Sequence, residues 1–144
     1  MREPVETGLP PPGQPFSWAV AGAGLLFTAH GPVLPGGGIL RADITAQTRL
    51  TLDNLQAALR AGGASLDDVL QVQIYLLDAA HVPAVDAVYA ARFRPPYPNR
   101  CMVVVAGLVA PGMLIELSAI AKRGAPADQQ TPVRAGSAIP PPRS

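Results

Sequence analysis

The sequence predicts an α+β fold, a two-layer sandwich with two helices on one face of a mixed sheet, and three observations carry that prediction. Apolar residues recur at helical spacing over 44–59, short apolar or alternating runs stand before, between and after two helical segments, and proline and glycine gather at the margins and joints. The chain has 144 residues, which suits one domain with a tail and is enough to bury a proper core.

Residues 1–13, with Pro4, Pro10, Pro11 and Pro12, read as an extended arm, and the folded unit spans 14–123. Phe16–Val20 and Leu25–Ala29 are short apolar runs around a Gly-Ala-Gly turn, the pattern of a hairpin. The loop from Gly31 to Gly38, with two prolines and three consecutive glycines, breaks regular structure. From Ile44 the period changes: Ile44, Thr48, Leu52, Leu55 and Leu59 form one helical stripe, with Asp43 placed to cap its start and Gly62-Gly63 to stop it.

Ser65–Val69 reads as a tight turn before a strand in which Leu70, Val72, Ile74 and Leu76 alternate with Gln71, Gln73 and Tyr75. A second helix covers Pro83 to Phe93, with its proline in the first turn, and the proline-rich run after Arg94 ends it. Cys101–Ala106 is apolar on both faces, as in a strand buried on two sides, and Leu114–Ala121 is a final strand carrying Glu116 and Ser118 on its polar face. Residues 124–144 hold small residues and prolines and read as a disordered Pro-rich tail. Two helices cover one face of such a sheet. The other face carries valine or methionine from the strand after Arg100, so self-association is expected to cover it.

Composition narrows the function classes. Apolar residues make up 49% and charged residues only 15%, well under the roughly 25% of an ordinary soluble domain, which points to a large buried subunit interface. Eleven basic against ten acidic side chains, with scattered arginines, argue against nucleic-acid binding. One cysteine forms no intramolecular disulfide, the N-terminus lacks the basic start and apolar run of a signal peptide, and no window approaches a membrane span. The expected location is cytoplasmic.

Phosphate-binding glycine loops, Gly-x-Ser-x-Gly, paired cysteines and His-Glu-x-x-His are absent, so no cofactor is indicated. Two distant histidines and one cysteine lack metal-ligand spacing, so no metal is expected. Glu116, a carboxylate in mid-strand between apolar neighbours, is costly to bury unless it is paired or does chemistry. Arg100 opens the apolar strand with a planar fork suited to a carboxylate, or to an interface ion pair. Cys101 beside it is either an activated thiol or a small core residue. His30 is an acid-base candidate or an exposed loop histidine, and Tyr75 is the tyrosine placed to face a cleft.

These residues stand in a wider pattern. Asp43-Ile-x-x-Gln47-Thr48, Ala61-Gly-Gly-Ala-Ser-Leu-Asp-Asp-Val69, Val72-Gln-Ile-Tyr-Leu-Leu-Asp78, Val88-Tyr89-x-x-Arg92-Phe93, Pro98-Asn-Arg100-Cys101 and Glu116-Leu-Ser-Ala-Ile-Ala121 together resemble the Rid (YjgF) family of reactive-intermediate deaminases. The resemblance covers Phe16 to Arg123. It implies a chorismate-mutase-like subunit, a homotrimer with clefts between adjacent subunits, and hydrolysis of 2-aminoacrylate and related imines to 2-oxo acids and ammonia, without metal or organic cofactor. Arg100 matches the arginine that holds the substrate carboxylate, Glu116 the carboxylate that orients or activates water, and Cys101 a small substrate-binding position.

The chain also departs from that pattern. Phe16 stands where many members have a tyrosine, and Ala29-His30-Gly31 followed by Pro32 stands where they read Ser-Gly-Gln, an exchange that narrows the pocket or supplies a proton-transfer group. Phe16, His30, Gly31 and Tyr75 therefore join Cys101 and Arg100 as expected substrate contacts. The alternatives are a specialised pathway enzyme of the same fold with another substrate, and a non-catalytic trimer that binds a small carboxylate. RNA cleavage, ascribed to some relatives, is opposed by the near-neutral charge.

Overall fold

The computed structural model describes residues 1–124; apart from Gly124, the expected tail falls outside the described residues. Its elements are β1 (Glu3–Pro4), β2 (Ala19–Gly22), β3 (Leu25–His30), α1 (Ile44–Ala61), β4 (Val69–Leu76), α2 (Val82–Arg92), β5 (Asn99–Val104) and β6 (Ile115–Lys122). The six strands form one mixed sheet in the order β1-β2-β3-β6-β4-β5, with β5 parallel to β4 and the other neighbours antiparallel. The two helices pack on one face of it, as the periodicity predicts.

The β2–β3 hairpin turns at Ala23 and Gly24, both at positive φ, the geometry a two-residue turn needs to match the twist of its strands. Helix α1 starts where Asp43 accepts a hydrogen bond from the Ala46 N–H (2.9 Å) and ends at Gly62, where a Cβ would meet the Leu26 side chain at 2.7 Å. Its buried Leu52, Leu55 and Leu59 close on Val72, Ile74 and Leu76 of β4 and Ile115 and Leu117 of β6. Each such side chain contributes about 1.5–3 kcal/mol by burial. A parallel β4–β5 pair needs a crossover, and α2 provides it.

Three sequence expectations change. The first strand begins at Ala19, because Phe16 and Trp18 turn away from the hairpin toward a cleft. In β4 the register shifts between Val69 and Gln71, so Val69 joins the buried row and Leu70 is thrown out to solvent. The strand after Arg100 is a sheet edge rather than a strand buried on two sides: Val103 and Val104 are exposed in the single chain, since no strand among the described residues lies beyond β5. The arm is extended and adds β1 beside β2, where the Arg123 guanidinium donates to the Glu3 carboxylate and holds its pKa below the usual value. No helix among the described residues is long and apolar enough to cross a membrane.

Two buried amides of α1 tie the long loops to this scaffold. Gln47 Nε2 donates to the carbonyls of Leu40 (3.0 Å) and Gly112 (2.8 Å), while its Oε1 accepts from the Leu114 N–H (2.8 Å). Asn54 Nδ2 donates to the carbonyls of Gly31 (3.0 Å) and Val33 (2.9 Å). Backbone groups left unpaired cost about 1–3 kcal/mol each. Gln47→Leu, which keeps the volume and removes all three bonds, is therefore expected to lower stability by at least about 2 kcal/mol, read as a fall in Tm of several degrees. An unchanged Tm would show that solvent satisfies these loops.

Candidate functional site

Glu116 sits on β6 with its side chain on the sheet face opposite the helices, in register with Tyr75 of β4. It is partly buried, no cation pairs with it among the described residues, and burial raises its pKa above the ordinary value of 4.5. Two depressions meet at it. The larger, of about 630 Å³, runs under the arm and is walled by Phe16, Trp18, Gly31, Val33, Ile39 and Met113 among others; the smaller, of about 400 Å³, is bounded by Tyr75, Leu108 and Ser118. The structure thus brings together Glu116, Phe16, Gly31 and Tyr75.

Arg100 lies elsewhere. It pairs in register with buried Val72, so its side chain emerges on the helix side of the edge strand, where its guanidinium stacks 4.8 Å above the Tyr89 ring and its Nη2 stands 2.8 Å from Asp86 Oδ1. That contact is an ion pair without hydrogen-bond alignment, since Asp86 Oδ1 has no hydrogen-bond partner. Charge and stacking therefore hold the guanidinium in place. Tyr89 is itself buried against Phe93, ring centroids 4.2 Å apart, and burial raises its pKa.

Arg100 and Glu116 do not meet within one chain. They stand on opposite faces, two strands apart and three residues out of register, an offset of about 14 Å from strand spacing and rise. Cys101, on the open face beside Gln73, is an exposed free thiol and is likewise away from the Glu116 cleft.

His30 differs most from its expected place. It is the last residue of β3 rather than a loop residue, it is only 2% exposed, and it does not line the cleft. Alternation along β3 puts it on the helix side with Leu26 and Thr28, so its ring becomes a support: Trp18 stacks on it, centroids 5.9 Å apart and planes 17° apart. Thr28 Oγ1 donates to the Trp18 carbonyl, so it accepts from the His30 ring Nε2. Trp18 in turn donates its indole N–H to the Pro10 carbonyl (2.7 Å), pinning the arm over the cleft. At Gly31 the Met113 methyl packs close to the backbone, 2.5 Å from where a Cβ would stand, so a larger residue there would make the methionine side chain shift.

Sequence reasoning missed Trp18, Asn54 and Asp86. The polar residues Gln47, Thr51 and Asn54 recur at helical spacing beside the apolar stripe of α1, a signal that this helix face buries amides as well as leucines. Among the described residues, no cluster of three or more His, Cys, Asp or Glu side chains is arranged to hold a metal ion.

Comparison with known proteins follows this geometry. Residues 8–123 match the family model described as Endoribonuclease L-PSP. A RutC family protein of Pyrococcus horikoshii is 40% identical over 124 residues, covering 84% of this chain and 98% of the relative. The 3-aminoacrylate deaminase RutC of Acinetobacter baylyi is 36% identical over 118 residues, covering 79% and 91%. The crystal structure of Escherichia coli TdcF with bound serine superposes with a TM-score of 0.77 at 30% identity, covering 85% of this chain and 99% of that one.

Burial lowers the His30 pKa from 6.5 to about 4, so the native state holds the ring neutral while the unfolded chain protonates it. Its contribution to stability is complete above pH 6.5 and is lost as the pH falls toward about 4, up to about 3 kcal/mol. Between pH 7 and about 4.5, wild type is expected to lose about 2 kcal/mol more denaturation free energy than His30→Phe. Equal losses would show that the ring is protonated in the native state.

Proposed function

The chain belongs to the Rid (YjgF) family, and from that premise we propose that it is an enamine/imine deaminase, hydrolysing a 2-imino acid to the 2-oxo acid and ammonia in a cleft between two copies. The observation that carries the reading is Glu116, a partly buried carboxylate without a cation, at the junction of two depressions and with a raised pKa. A carboxyl group tuned upward both takes a proton from an attacking water and returns one to a leaving amine near neutral pH.

Arg100 supplies the complementary half. Its fork is held at an exposed strand edge by Asp86 and Tyr89, and it binds the carboxylate of a substrate that lies against a neighbouring copy's Glu116. Assembly as a homotrimer through the open sheet face is part of this proposal; the exposed Phe27 and Val103 on that face support it. The imine carbon is already electrophilic, so fixing the carboxylate and presenting a water suffices, and no cofactor is called on. Water adds to C2 as Glu116 accepts its proton; the carbinolamine then collapses, with the proton delivered to nitrogen and ammonia released. The family model's description names an endoribonuclease, but four of the described arginines are paired with carboxylates, which leaves fewer free cations for a phosphate backbone.

The test is ammonia and 2-oxo-acid release from imines generated in situ, with spontaneous hydrolysis subtracted. Glu116→Gln is expected to lower the catalysed rate about 10²–10⁴-fold, and Arg100→Ala to lower kcat/KM about 10–100-fold. The wild-type rate is expected to fall on the acid side with a midpoint above 4.5, because the working form of Glu116 is ionised and its pKa is raised. Binding of a 2-oxo acid with no acceleration of any imine would reassign the chain to the carboxylate-binding alternative.

A further inference from the structure

The larger depression beside Glu116 is far bigger than a three-carbon imino acid needs. Its volume of about 630 Å³ lies in the range of sites that enclose drug-sized ligands. Its wall is mainly apolar: Phe16, Trp18, Val33, Ile39, Val109 and Met113 face it together with the prolines of the arm, Gln14 adds an amide, and Glu116 is the one charged side chain among them. A charged or phosphorylated substituent would find no cation there.

The wall is also built to hold its shape. Trp18 is clamped between the Pro10 carbonyl and the His30 ring, the loop carrying Val33 and Ile39 hangs from Asn54 and Gln47, and Gly31 leaves the room that Met113 fills. All of these groups come from one chain, so this wall is in place before a second copy completes the cleft. A substrate whose C2 sits at Glu116 therefore has an apolar, preorganised space for the substituent on C3.

We propose that this cleft selects 2-imino acids bearing a large apolar side chain, aryl or branched alkyl, over the three-carbon imines. The proposal rests on the deaminase reading above and adds the substrate class. Removing a phenyl ring from water against such a wall corresponds to at least about tenfold discrimination.

The experiment compares kcat/KM for the imines generated in situ from phenylalanine, leucine and alanine, together with calorimetric binding of phenylpyruvate and pyruvate. The expected result is a preference of at least tenfold for the phenylalanine imine and for phenylpyruvate. In Ile39→Trp, which puts a larger side chain into the wall of the cleft, that preference is expected to be lost. Acceleration of the alanine imine with no preference for the larger ones overturns the proposal and leaves the deaminase reading intact. Acceleration of none, with phenylpyruvate still bound tenfold more tightly than pyruvate, overturns the deaminase reading and upholds the side-chain selectivity. Neither acceleration nor selective binding overturns both.

Discussion

The candidate site depends on one constraint: two long loops without regular structure must be fixed against a sheet, and buried amides on α1 do it. Gln47 reaches the loop ends at Leu40, Gly112 and Leu114, and Asn54 takes the carbonyls of Gly31 and Val33. Loops of this length would otherwise carry unpaired polar groups into the protein or stand away from it. The same bonds set the far wall of the cleft, so fold stability and site geometry share their supports. Trp18 and His30 repeat the device on the near wall, with a stacked pair in place of amides.

The second constraint is the two-sidedness of the sheet. Alternation along a strand assigns Glu116 to the open face and Arg100 to the helix side, and no rotamer change brings one to the other within a chain. The edge strand leaves Val103 and Val104 exposed, and it holds the Arg100 guanidinium beside Asp86 and Tyr89. The low charged fraction of the sequence agrees with a chain that hides much of its surface against copies of itself.

The architecture was legible because period and punctuation agree: the stripe from Ile44 to Leu59 ends at Gly62, and the hairpin turns within the Gly22-Ala23-Gly24 run. Glu116 was legible because a carboxylate flanked by apolar neighbours in a strand is a local anomaly. His30 was misplaced because β3 runs one residue further than its apolar run, and that residue decides between loop and buried face. The edge position of β5 could not be read from a strand apolar on both sides, since periodicity reports what must be covered and not by which chain. Leu70 was assigned to the buried row because a bulge leaves no mark on alternation until the partner strand is known. Asp86 was passed over because its role exists only through Arg100, fourteen residues later and on another element.

The central claim is that a working site takes Arg100 from one copy and Glu116 from another. Its most direct measurement is deaminase activity after mixing Arg100→Ala and Glu116→Gln chains, each strongly impaired alone, under conditions that exchange subunits. Random exchange at equal amounts gives both intact residues to about one cleft in four, so activity is expected to return to about a quarter of wild type. Activity that stays at the level of the separate variants, with exchange verified, would contradict a site shared between copies.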